Sequence, residues 1–456
     1  MSDSPGAPSI HQPSLSVRER RRSLLSGTAG NLLEWYEWNA YSVMAPFLAA
    51  KMFDDDDPAS AILAVFAVFA VGFLMRPVGG ILFGWAGDRF GRKAVLVTTM
   101  LLMAGACFAI GVAPTYKSIG VWASVLLLTL RCIQGLAHGG ESSASATYLA
   151  EIAPRNKRGR WGSALGVAII GGSVLAFLVS AMLTSVLGEG AMAEFGWRIP
   201  FLVGGVMALV VLWMRRQMHE SDVFEEVADA PAPPAIPRRT LVLTTLRLIA
   251  FTSGLTCITY VWMTYMATYA ISEHGMPKNQ AYWGTAAVQT ACLICMPFLG
   301  ALSDRIGRKP MMFAFSALAF FTTIPFMRLV GSEVWTLVVP VGLSLLFWAM
   351  CQSIYPAIQA ESFPTHIRGR GIGFAYSLSV AIFGGTAPYF NQLFVGMDAS
   401  WLFSLYVMAL CAVSFIATFF FTETNSIDLN DVRWSETGRT PQTGRTPQTV
   451  MVSRRP

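Results

Sequence analysis

Residues 84–93 read GWAGDRFGRK, and residues 300–309 read GALSDRIGRK. The outer glycine, the aspartate, the inner glycine and the terminal Arg-Lys pair return at an offset of 216. A second recurrence keeps the order. EIAP at 151–154 with RGR at 158–160 returns 210 residues later as ESFP at 361–364 with RGR at 368–370. Two recurrences in one order mean that the chain is two copies of one unit. The polar, Pro- and Ala-rich stretch between Met218 and Pro237 is the natural joint between them.

The sequence around each motif is apolar. Of 456 residues, 54% are hydrophobic and only 13% charged, and the mean hydropathy is +0.51, which excludes an ordinary soluble domain. Runs long enough to cross about 30 Å of hydrocarbon recur along the chain. They predict an all-α membrane protein of twelve spans in two six-helix halves. The spans fall near 24–49, 60–86, 94–113, 119–150, 161–187, 198–216, 247–272, 280–302, 310–328, 335–361, 371–395 and 400–422. The expected organisation is an N-terminal tail (1–23), a first bundle (24–217), a linker (218–240), a second bundle (241–422) and a tail (423–456) that repeats GRTPQT in tandem and has too little apolar surface to fold.

Charge sets the orientation. Placing both termini in the cytoplasm puts 26 of the 33 Lys and Arg on that side, as the positive-inside rule requires, and leaves only Arg76 and Arg131 within spans. The net charge of +6 follows from this asymmetry and does not point to nucleic acid. The polar, basic first 23 residues do not read as a cleaved signal peptide. All seven cysteines fall inside predicted spans, which argues against a disulfide framework.

Three charges reach the middle of the bilayer by helical rise: Glu34, Arg76 and Arg131, each about 15–18 Å from its span end. A charge at that depth costs roughly 2.5–3.5 kcal/mol and must meet a partner or water. In span 4, Arg131, Gln134, His138, Glu141, Ser142 and Ser145 share one stripe, and in span 1 Asn31, Glu34, Trp38 and Tyr41 do the same with Glu37 beside them. The two acids are therefore expected on a cavity opposite Arg76 and Arg131. An anionic substrate that took an arginine would leave a carboxylate without its counter-charge, and that carboxylate would bind a proton. This makes Glu34, Glu37 and His138 the proton-coupling candidates and Arg76, Arg131 and Gln134 the substrate candidates. The second half has no matching charges. Its expected binding surface is Tyr260, Thr264 and Tyr265 in span 7, Gln352 and Tyr355 in span 10, and Tyr376 in span 11. The repeated motifs lie at the cytoplasmic ends, where Asp88, Arg92, Glu151 and Arg158, with Asp304, Arg308, Glu361 and Arg368, can form ion pairs that exist in one conformation and break in another.

Together GNLLEWYEW, FLMRPVGGILFGWAGDRFGRK, RCIQGLAHGGE, WRIPF and GALSDRIGRKP resemble the metabolite:proton symporter branch of the major facilitator superfamily over residues 25–422. AIFGGTAPY at 381–389 and ATYLAE at 146–151 are most similar to bacterial 2-oxoglutarate permeases and related dicarboxylate carriers. The resemblance implies two halves related by an axis along the membrane normal, a solute held between them near the midplane, and alternating access. It also implies proton-driven uptake of a small organic acid across a bacterial inner membrane or, in one subgroup, of proline and betaine. Where the family has Asp before an aromatic residue this chain has Glu37-Trp38, and His138 stands where the family has a small or apolar residue. The expected partners are an organic anion, protons and lipid, with the chain as a monomer. No cofactor is expected, the proton gradient being the energy source. An enzyme or receptor is the remote alternative: the five histidines are scattered, no HExxH is present, and no loop is large enough for a sensing domain.

Overall fold

The structure, a computed structural model, describes residues 17–54, 57–90, 92–139, 153–216, 237–364 and 367–425. The greater part of both tails and of the linker lies outside these residues, as do Glu141, Ser142, Ser145 and Glu151.

Lipid offers no hydrogen-bond partner, so each span must satisfy its backbone internally, and helix is the form that does so. Among the described residues, helices follow in order at the twelve expected span positions, and eight of them are long and apolar enough by themselves to cross a membrane. In the first half they are α1 (Val17–Val43, continued as Ala45–Met52), α2 (Pro58–Phe90), α3 (Arg92–Val112), α4 (Trp122–His138), α5 (Arg158–Glu194) and α6 (Ile199–Arg216). In the second half they are α7 (Arg238–His274), α8 (Lys278–Ile306), α9 (Arg308–Leu329), α10 (Val334–Ser362), α11 (Arg368–Ser379, Val380–Gly384 and Ala387–Gly396) and α12 (Ser400–Phe419). α7 starts nine residues before its expected boundary of 247, because Arg238 and Arg239 extend its first turns beyond the apolar core.

α5 packs along α8 and α2 along α11. Under the repeat α8 corresponds to α2 and α11 to α5, so the two seams between halves are one contact used twice. Backbones meet where α5 crosses α8. A Cβ on Gly300 would lie 2.6 Å from the carbonyl oxygen of Gly159, which only glycine permits.

Two spans of the second half leave α-helical geometry near mid-depth. Thr259–Tyr265 of α7 and Val380–Gly384 of α11 are π-helical. Such widened turns cluster at functional sites because they rotate the following side chains off the regular register.

Candidate functional site

The charged midsection lies in the first half. Arg76 Nη2 meets Glu34 Oε1 at 2.7 Å, and both side chains are almost fully buried. Pro77, next in α2, lacks the N–H that would bond the Phe73 carbonyl. The Arg76 guanidinium lies over the Phe73 and Trp38 rings at 4.4 and 4.8 Å. Phe73 in turn meets Tyr260 of the other half, with ring centroids 5.0 Å apart.

Arg131 occupies a different compartment. Its guanidinium lies 4.0 Å from the Trp38 ring and 4.2 Å from Tyr41, and Nη1 donates to Gln134 Oε1 at 2.8 Å. Gln134 reaches Cys107 Sγ at 3.1 Å. Glu37 and His138 meet there too, with Oε2 and Nε2 3.4 Å apart. The expectation of two acids facing two arginines across one cavity is thus corrected. Glu34–Arg76 lies at the boundary between halves, whereas Glu37, His138, Gln134 and Arg131 lie among α1, α3 and α4, with Trp38 touching both guanidiniums. Arg131 has no carboxylate within ion-pair distance among the described residues.

A small cavity lies between the halves, lined among the described residues by uncharged side chains. Trp35 and Ile169 line it from the first half; Thr252, Leu255, Thr256, Thr259, Trp348, Gln352, Tyr355 and Tyr376 line it from the second. Several hydroxyls are held by neighbours: Trp348 Nε1 donates to Thr259 Oγ1 at 2.7 Å, and the Thr252 and Tyr355 hydroxyls are 2.6 Å apart. Tyr260 stacks on Trp35 at 5.6 Å, and its buried hydroxyl has no hydrogen-bond partner among the described residues. Gln352, Tyr355 and Tyr376 line this cavity, and Tyr260 sits beside it. Thr264 and Tyr265 do neither. Further along α7, past the cavity, Thr264 donates to Asn39 of the other half at 3.1 Å, while Tyr265 donates to Gln392 of its own half at 2.7 Å. Trp35, Trp348 and the three threonines of α7 that also line the cavity were not singled out in the sequence, where nothing in the helical spacing sets them apart from the other aromatic and hydroxyl residues of their spans.

The halves also touch at both ends of the bundle. At the end holding the α5 and α9 N-termini, Arg158 Nη1 meets Glu361 Oε1 at 2.8 Å, and both are buried. Asp304 accepts from the Gly159 and Arg160 amides at 2.8 and 2.9 Å, a carboxylate on the N-terminus of a helix from the other half, and pairs with Arg308 at 2.9 Å. Arg308 Nε lies 3.9 Å from Glu361 Oε2. The chain beyond α12 returns onto this network. Glu423 accepts from the Arg308 and Lys309 amides, beside Gly307 at φ +101°, and Thr424 donates to Glu361. Arg368 Nε donates to the Ala360 carbonyl at 2.9 Å, within its own half. The side chains of Asp88, Arg92 and Glu151 lie outside the described residues. At the opposite end Ser42, Thr268 and Tyr282 donate to the carbonyls of Thr264, Ser42 and Val43 at 2.9, 3.1 and 2.8 Å.

Two similar units, a seam used twice and a cavity between halves are the layout of a two-bundle membrane carrier. The family model described as Major Facilitator Superfamily matches residues 28–388 and 279–439. The chain belongs to the major facilitator superfamily. Among relatives of this superfamily member, the alpha-ketoglutarate permease of Escherichia coli (strain K12) is 35% identical over 411 residues, covering 89% of this chain and 94% of that one. The proline/betaine transporter of the same strain is 30% identical over 421 residues, covering 89% and 84%. The solved structure of the xylose transporter XylE from E. coli, in a partially occluded inward-open conformation, superposes with a TM-score of 0.69 at 18% identity over 89% of this chain and 98% of that one. At that identity the likeness speaks for the fold. This superfamily member is accordingly a multi-pass membrane transporter of small molecules.

Proposed function

We propose that the chain imports a small organic acid of the 2-oxoglutarate type together with protons, across a bacterial inner membrane, as a monomer with both termini in the cytoplasm. The observation that carries this reading is the buried Glu34–Arg76 pair, 2.7 Å apart and within electrostatic reach of Tyr376 in the lining of an uncharged cavity. A substrate carboxylate entering the cavity competes with Glu34 for Arg76, and a guanidinium binds a carboxylate through two parallel hydrogen bonds. Glu34, left without its counter-charge in a poorly hydrated site, takes a proton. Substrate and proton therefore load together. Gln352, Tyr376 and Tyr260 offer neutral groups for the far end of the substrate. The alpha-ketoglutarate permease relative supports the acid.

A second reading, a zwitterionic osmolyte, is favoured by the aromatic lining of Trp35, Trp348, Tyr355 and Tyr376, whose ring faces suit a quaternary ammonium. The proline/betaine relatives support it. Uptake into proteoliposomes of labelled 2-oxoglutarate, citrate, proline and betaine, with and without a proton gradient, separates the two. The expected result is gradient-driven accumulation of 2-oxoglutarate, lost by at least about a hundredfold in Arg76→Ala, since removing one partner of a buried charge pair costs about 3–5 kcal/mol. Accumulation of betaine and of no acid would overturn the first reading in favour of the second.

A further inference from the structure

Three buried polar atoms on the seam between α5 and α8 have no hydrogen-bond partner among the described residues: Ser173 Oγ, Thr285 Oγ1 and Gln289 Oε1, in side chains with exposures of 0%, 1% and 0%. Other hydroxyls of these spans donate to the carbonyl one turn back, as Ser180, Thr184 and Thr290 do at 2.8, 2.9 and 2.7 Å. Ser173 and Thr285 do not. The contacts on either side fix where they stand. On one side the Phe177 and Tyr282 rings meet, with centroids 6.2 Å apart. On the other Gly166 faces Met296, where a Cβ would lie 2.6 Å from the methionine Cε. Ser173 comes seven residues after Gly166 and four before Phe177, and Gln289 is seven residues from both Tyr282 and Met296. The helical period therefore puts both on the faces that the seam brings together, with Thr285 one turn from Gln289. The cavity begins one turn away: Ile169 of its lining is four residues before Ser173, and Gln289 Nε2 donates at 2.9 Å to the carbonyl of Met263, four residues past Thr259 of the lining. The three groups thus lie between the cavity and the contact that Tyr282 makes with Val43.

We propose that Ser173, Thr285 and Gln289 are a subsite for a substrate hydroxyl, so that the carrier takes hydroxy acids and prefers each to the acid that lacks the hydroxyl. Buried polar groups are paired as a rule, and three unpaired ones gathered in one place mark a ligand that supplies the missing bonds. The set says which ligand. The Gln289 amide nitrogen is committed to Met263, so its oxygen can only accept, whereas the two hydroxyls can donate or accept. An alcohol hydroxyl matches this set, giving its proton to Gln289 and accepting one from Ser173 or Thr285. An ionised carboxylate only accepts and leaves Gln289 unpaired, and a methylene leaves all three so. The repeat supplies the position. An offset of 216 carries Phe69, Phe73 and Arg76 of α2 onto Thr285, Gln289 and Cys292 of α8, so the neutral groups stand at the depth of Arg76 on the opposite seam. The proposal rests on the acid-import reading and adds to it: Arg76 takes a carboxylate, and the seam between α5 and α8 reads the hydroxyl. Ser173 belongs to the first half and Gln289 to the second, so a hydroxyl bonded to both also ties the halves together around the substrate.

The test is inhibition of labelled 2-oxoglutarate uptake into proteoliposomes by 2-hydroxyglutarate and by glutarate, which share carbon chain and carboxylates and differ in the one hydroxyl. The wild type is expected to be half-inhibited by 2-hydroxyglutarate at a concentration about tenfold below that of glutarate, the worth of a hydroxyl that meets otherwise unpaired groups. Thr285→Val, which keeps the shape of the side chain, and Gln289→Leu are expected to bring that ratio near one by weakening 2-hydroxyglutarate and not glutarate. A merely structural role would move both inhibitors alike. Where a variant shows no uptake, the ratio is read instead from the concentrations of the two acids that protect the solubilised full chain against thermal unfolding. Equal potency of the two acids on the wild type overturns the proposal and leaves acid import standing; it is also the result expected if the three groups only hold water. A tenfold preference that survives both substitutions overturns the assignment of the subsite. No uptake of any acid by the wild type refutes the underlying reading instead.

Discussion

The two ends of the bundle hold the halves together by different chemistry. At the α5 N-terminus the contact is ionic and buried: Arg158 on Glu361, Asp304 on two backbone amides, and Arg308 beside both acids. At the other end it is mostly neutral, with hydroxyls of Ser42, Thr268 and Tyr282 donating to backbone carbonyls. An exposed Lys278–Glu189 pair lies at the rim. Hydroxyl–carbonyl bonds exchange for water bonds at little net cost, about 1 kcal/mol each. A buried ion pair separated without replacement costs about 3–5 kcal/mol. On the transport reading proposed above, the ionic end is expected to be the stiffer contact and the neutral end the one to open first in an empty carrier.

The largest effect should come from breaking the ionic end. Arg158→Ala leaves Glu361 buried with only the more distant Arg308 Nε at 3.9 Å and the Thr424 hydroxyl. At the lower edge of the 3–5 kcal/mol range, this shifts the balance toward opening at that end by about a hundredfold. Spin labels at the exposed positions Asn156 and Arg370 would report it as a population at longer distance. An unchanged distance distribution would show that the pair does not hold this gate.

How much of this was legible beforehand differs by residue. GDRFGRK and SDRIGRK give the two halves, and the apolar runs give the spans, because a membrane permits few alternatives. Glu34, Arg76 and Arg131 were readable as charges at one depth that need partners, but which arginine Glu34 meets was left open. Arg131 was misplaced for a reason in the same argument: helical rise gives depth but not direction around the bundle, and Trp38 and Tyr41 receive its guanidinium instead of the cavity. Thr264 and Tyr265 were assigned by a regular 3.6-residue turn that α7 abandons at Thr259. The Asp304 contact with the Gly159 and Arg160 amides could not be read at all, because its acceptor is a side chain and its donors are backbone. The same holds for the return of Glu423 and Thr424 onto the gate, which joins chain positions more than 60 residues apart.

A middle-sized effect is expected at the neutral end. Tyr282→Phe removes one 2.8 Å bond to the Val43 carbonyl and leaves the ring in place. The loss is about 1 kcal/mol, or about fivefold toward opening at that end. Labels at the exposed positions Ala50 and Gln280 would read it. A shift as large as that of Arg158→Ala would mean that the two gates are equally stiff.

The smallest effect belongs to the rim. Glu189 and Lys278 meet at 2.6 Å, yet the Glu189 side chain is 64% exposed and the lysine 25%. Water and salt screen such a pair, and exposed pairs contribute between zero and about 1 kcal/mol. The lysine has a second contact, its ammonium lying 5.1 Å from the Phe47 ring, so Glu189→Gln does not release it. The expected shift is less than about twofold at low salt and vanishes at high salt, where the screening length falls to about 3 Å at 1 M. The Ala50–Gln280 label pair measured at both ionic strengths decides the matter. A larger, salt-independent opening would mean that Glu189 acts through Ser185 and Asn279, which share a 2.9 Å hydrogen bond one helical turn away, and the neutral end would then owe its strength to a network rather than to separate hydroxyls.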